Sequence, residues 1–135
     1  MDYLSRIFDA ILTRTEQTSL FTDVQPALRD GQLSLPAAEV WLEEMKLLPE
    51  QPEPTYDLVF VVQITVGHKE DGSAQASLHP LLATMQHTFH QWETGFVGVL
   101  SATVPGIKLA AHEDKGKTIY LMQIELRVSV DTFGD

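Results

Sequence analysis

The sequence predicts an α+β fold, a mostly antiparallel β-sheet with two helices packed on one face, in the order α-β-β-α-β-β. Three observations carry this. Residues 118–130 alternate, with Tyr120, Met122, Ile124, Leu126, Val128 and Val130 on one side and Gln123, Glu125, Arg127 and Ser129 on the other. Period two marks a strand with one buried and one wet face. Leu58, Phe60, Val62, Ile64 and Val66 repeat that alternation. Leu78, Leu81, Leu82, Met85, Phe89 and Trp92 recur instead at steps of three and four, the stripe of an amphipathic helix.

The elements follow in chain order. Leu4, Ile7, Phe8, Ile11 and Leu12 predict a helix over residues 3–15, with Asp2 as its N-cap. Its polar exit, residues 15–22, is pinned by Phe21 and Val24. Asp30-Gly31 signals a turn. The next segment supports two readings. Ala38, Trp41, Leu42, Met45 and Leu48 make a helical stripe, whereas Leu33, Leu35, Ala38, Val40 and Leu42 make a strand bent at Pro36. The strand reading, through about residue 42, is preferred, with Pro36 at an edge or bulge. Pro49, Pro52 and Pro54 mark a loop too short to divide domains. In the strand 56–66, Val59 and Val61 make the second face apolar too, at least at one end, as in a central strand covered on both sides.

Asp71-Gly72 ends that strand, and Ser77 caps the helix 78–92, with Pro80 tolerated in its first turn. The chain then returns through 99–104, turns at Pro105-Gly106 and runs on through 107–111. A loop at 113–116 closes a hairpin with the last strand. That strand spans roughly 40 Å, as long as a globule of this size is wide, about 35–40 Å. It is therefore expected to overhang and to offer backbone groups to another chain.

With 135 residues and 44% hydrophobic content, a single domain over residues 1–135 is expected. The longest apolar run, residues 58–62, is strand-sized, so no membrane partner is expected. No secretion signal is legible at Met1-Asp2-Tyr3, and the cytoplasm is the expected compartment. The absence of cysteine excludes disulfides, thiol nucleophiles and thiolate metal sites. A net charge of −10, from 9 basic and 19 acidic residues, argues against a nucleic-acid-binding surface, although DNA can slide past an acidic wall.

Chemistry is sparse. His87 and His90 stand three apart on the second helix, with His79 and Glu93 nearby, but no second carboxylate–histidine pair completes a metal site. No G-x-S-x-G elbow, phosphate-cradling loop or H-E-x-x-H pair occurs. Gly95-Phe96-Val97-Gly98 lacks the basic neighbours of an RNA clamp. Glu43 and Glu44, adjacent in a strand, are expected on opposite faces, which makes them poor acid–base partners. Lys115-Gly116-Lys117 is a basic hairpin tip that an acidic neighbour could meet. No enzymatic activity, cofactor or metal is expected. The residues singled out for a partner surface are Trp41, a large side chain facing away from Val40 and Leu42, with Glu43 and Glu44 beside it, and the wet face Gln123, Glu125 and Arg127.

From residue 3 to residue 130 the chain resembles the tail terminator (tail-completion) family of tailed bacteriophages and prophages. The carriers are the opening amphipathic helix, the Leu35-Pro36-Ala37 step into the Glu39-Val40-Trp41-Leu42 strand, the 58–66 strand, the 78–92 helix and the closing hairpin into 120–130. The resemblance implies a structural protein of virion assembly. Such proteins form hexameric rings, some only on the tail. They cap the tail tube protein, stop its polymerisation and offer a joining surface to the head connector. DNA would pass through without specific binding. The location would be the host cytoplasm during assembly and then the head-proximal end of the tail. Loops 49–55 and 67–73 are assigned to assembly by elimination. Two alternatives stand beside this reading: another neck or head-closure subunit, and a small-ligand-binding α+β module with a pocket between the second helix and the sheet.

Overall fold

The computed structural model describes residues 3–26, 35–48, 55–66, 78–96, 99–114 and 117–131. They form two helices, α1 (Tyr3–Gln17) and α2 (Leu78–Phe89), and five strands: β1 (Asp23–Pro26), β2 (Ala37–Leu48), β3 (Thr55–Val66), β4 (Val99–Asp114) and β5 (Lys117–Val130). The sheet order is β1-β2-β3-β5-β4. Only the β1–β2 pair is parallel. This is the expected α+β fold with one additional strand. Four residues are too few for a hydrophobic period to register. It is β2 that holds β1 in the sheet, through the alignment of Asp23 with Ala37 and Pro26 with Val40.

Both helices cover one face. Ile7 and Ile11 of α1, and Leu78, Met85 and Phe89 of α2, are buried against Val40, Phe60, Val62, Ile64, Met122, Ile124 and Leu126. Phe8 lies against Phe60 with ring centroids 6.3 Å apart. Thr15, fully buried, returns its hydroxyl to the Ile11 carbonyl at 2.8 Å, which satisfies that hydroxyl inside the core. Arg14 joins the two helices. Its Nε donates to the Thr88 carbonyl at 2.6 Å, and its guanidinium lies 5.0 Å from the centre of the Trp92 ring. Trp92 in turn meets Phe89 edge-on at 5.7 Å. Arg14→Ala removes a charge-assisted hydrogen bond and a cation–π contact. It is expected to cost about 2 kcal/mol, read as a shifted urea midpoint at unchanged slope.

Residues 38–48 form a strand, and the reason for their helical look is visible. The β2–β3 register shifts between Leu42 and Glu44. This bulge inserts one residue, so Ala38, Val40, Leu42, Met45 and Leu47 all face the helix side, opposite Ile64, Val62, Phe60, Leu58 and Tyr56. A strand with one extra residue places apolar side chains three apart, which imitates a helix stripe.

A second bulge corrects the expected turn at Pro105-Gly106. β4 runs unbroken from Val99 to Asp114, and its register against β5 shifts between Thr103 and Gly106. Proline is tolerated there because β4 is an edge strand. The helix expected to reach residue 92 ends at Phe89, and Gln91 takes a positive φ of 57° beyond it. Strand β3 is central, as the apolar Val59 and Val61 implied, but the expectation that it is covered on both sides is not met: among the described residues both helices lie on one face.

The expectation that the last strand keeps a spare backbone edge is overturned. β5 is an interior strand, paired with β3 from Tyr120 to Val130 and with β4 along its length. Only Lys117–Ile119, among the described residues, pair with β4 alone. The alternation had correctly reported one buried face, but a side-chain pattern carries no information about who pairs with the backbone on either side. The Asp30-Gly31 and Asp71-Gly72 turns, the caps Asp2 and Ser77, the hairpin tip at Lys115-Gly116, and residues 49–54 and 67–73 of the assembly loops lie outside the described residues.

Candidate assembly surface

The face of the sheet away from the helices is the one large surface that no described helix covers. Strand register sorts it into rows across β2, β3, β5 and β4. One row is Glu39, Gln63, Gln123 and Lys108. The next is Trp41, Val61, Glu125 and Gly106, followed by Glu44, Val59, Arg127 and Thr103. Lys46, Asp57, Ser129 and Ser101 complete the set. Apolar side chains at its centre are flanked by paired polar ones.

Several of these side chains are paired on the face, although Arg127 Nε is buried without a hydrogen-bond partner among the described residues. Gln123 donates its amide to Gln63 at 2.8 Å, and Ser129 donates to Asp57 at 2.6 Å. The Trp41 indole N–H donates to Glu43 Oε2 at 2.6 Å, which fixes the ring on the surface instead of turning it inward. Arg127 lies 3.6 Å from Glu125, and Lys46 lies 3.7 Å from Glu44. Both ion pairs are too exposed to add much stability.

Trp41, Glu43, Val59, Val61, Gly106, Lys108, Gln123 and Glu125 line a groove of about 530 Å³ across the middle rows. Gly106 keeps it open. A Cβ there would meet only Glu125 Oε2, at 3.9 Å, so a glycine in this row leaves room that a side chain would occupy.

Four of the six residues expected at a partner surface, Trp41, Glu43, Gln123 and Glu125, meet in this groove. Arg127 borders it through Glu125. Glu44 shares the face but turns to Lys46. Glu43 and Glu44 do not occupy opposite faces as expected. The bulge sets Glu44 opposite Val59, and Val59 lines the groove together with Glu43. Lys108 and Gly106 were not singled out in advance, because the bulge that phases them onto this face reads in sequence as a turn.

The histidines are placed elsewhere. His87 and His90 are exposed on the helix side, and His90 Nδ1 accepts from the Val104 N–H at 3.2 Å. Among the described residues no three His, Asp or Glu side chains converge as a metal site. The space between α2 and the sheet holds Leu78, Met85 and Phe89. No helix among the described residues is long and apolar enough to cross a membrane. The chain matches no protein-family model and no curated protein sequence.

Proposed function

We propose that this chain is a structural tail terminator of a tailed bacteriophage or prophage, acting as a ring that caps the tail tube protein and joins it to the head connector. The observation that carries the reading is the bare sheet face. It holds a surface tryptophan fixed by its own hydrogen bond, a groove with apolar walls, and interleaved charges of both signs. Such a face suits a protein partner, where aromatic anchors supply binding energy and rim charges set orientation. Acids outnumber bases on it, which suits a wall that DNA passes without adhering. Helix–sheet packing by Leu78, Met85 and Phe89 leaves little room for a ligand pocket beneath α2. That weighs against the small-ligand alternative.

Deletion of the gene from its phage or prophage tests the reading. Tails lacking control of length, seen by electron microscopy, are the expected result, and tails of normal length and attachment reject it. In the same system Trp41→Ala is expected to abolish complementation while costing only about 1–2 kcal/mol of stability, because Trp41 is only partly buried.

A further inference from the structure

We propose that His90 is a pH-sensitive latch on the bulge that shapes the groove. As a neutral imidazole it holds the bulge of β4, and protonation releases it. The inference stands whatever the groove binds.

The groove depends on one irregularity of β4. Thr103 pairs with Arg127 and Gly106 with Glu125, so Val104 and Pro105 together oppose the single residue Leu126. The extra residue turns the phase of the strand. With it, Gly106 and Lys108 reach the open face and line the groove, while Ile107 and Leu109 align with the buried Ile124 and Met122. A regular strand continuing from Thr103 would exchange the two sets, because a slip of one residue moves every side chain to the other face.

Little holds the bulge in place. Proline has no N–H, so the two bulged residues carry one backbone donor, the Val104 N–H. It donates to His90 Nδ1 at 3.2 Å. Val104 is buried in the core, whereas His90 stands exposed on the turn that follows α2. The far end of α2 is therefore tied twice. His90 ties it to β4, and the Arg14 hydrogen bond to the Thr88 carbonyl ties it to α1. Only the first tie can titrate, because arginine stays charged.

The direction of the effect follows from the donors. A neutral imidazole accepts at Nδ1 when its proton sits on Nε2, whereas an imidazolium donates from both nitrogens. Protonation sets one N–H against another, and the ring swings into the water it already touches. Histidine is the side chain whose charge changes between about pH 5 and 8. The bond is therefore made toward the alkaline end of that range and lost toward the acid end. The other titratable or charged side chains around the ring are His87 and Glu93, from α2 and its exit, and Arg14 from α1. Residues 99–104 of β4 bring none. Because His87 is also an imidazole, the test must separate the two.

Nuclear magnetic resonance of the isotope-labelled full chain at about pH 7.5 and about pH 5.5 provides that test. The quantity read is the hydrogen-exchange protection factor of the Val104 amide, relative to that of Phe60 in the central strand. It is expected to fall about fivefold on acidification, the loss of one neutral hydrogen bond. The Gly106 and Lys108 amides are expected to shift along the same curve as the His90 ring. His90→Gln supplies an acceptor that does not titrate, and is expected to keep the protection and abolish its pH dependence. His90→Ala is expected to lose the protection at both pH values, and His87→Gln to leave the dependence in place. Protection of Val104 that ignores pH overturns the proposal. So does a dependence that survives in His90→Gln, or one that vanishes in His87→Gln. Gly106 and Lys108 amides that stay fixed while Val104 responds overturn it as well, because the groove is then not coupled to the latch.

Discussion

Ile124→Asp is expected to unfold the protein or leave it without a cooperative transition. Ile124 is fully buried in the row Val40, Val62, Ile124 and Ile107, at the centre of the helix-covered face. A carboxylate there loses its water, and the side chains of that row and of the helices above are apolar. The group must be desolvated or protonated, and the cost exceeds about 4 kcal/mol. That is comparable to the whole stability of an ordinary domain, about 5–15 kcal/mol. The control is the next residue. Glu125 faces the open groove, and Glu125→Gln is expected to change stability by no more than about 0.5 kcal/mol. Thermal melts followed by near-UV circular dichroism read both. A native-like melt for Ile124→Asp means that the assignment of faces is wrong.

Phe60→Ala is expected to be the most costly truncation in the core, at about 3–5 kcal/mol. Phe60 is the largest fully buried side chain of the central strand, flanked in register by Leu42 and Leu126 and covered by Phe8 of α1. Leu42 is 37% exposed and cannot close over the void from its side. Collapse must come from α1, whose position is held by the Arg14–Thr88 hydrogen bond. The melting temperature should fall by roughly 10–20 °C, with a weaker Phe8 contribution in a double-mutant cycle than in the parent. A loss under 1 kcal/mol contradicts the tight packing of α1 on β3.

Some of this molecule was legible in its residue order. Alternation in 56–66 and 118–130 identified β3 and β5 as strands and named their buried faces, because period-two burial follows directly from strand geometry. The three-and-four spacing of Ile7, Ile11, Met85 and Phe89 identified both helices and their inward stripes. Trp41 was correctly placed on the face opposite Val40, and Gln123 and Glu125 on the same face, because adjacent residues in a strand point apart.

The remainder depended on neighbours distant in the chain. The bulges at Leu42/Glu44 and Thr103/Gly106 shift side-chain phase by pairing with β3 and β5, and an isolated strand records no partner. One bulge looked like a helix and the other like a turn. β1 is a strand only because β2 lies beside it. Whether β5 had a free backbone edge was likewise decided by strand order, since side-chain alternation describes the two faces of a strand and leaves its two edges unspecified. Local periodicity thus governed which residues are buried. Long-range hydrogen-bond pairing governed which strands are edges.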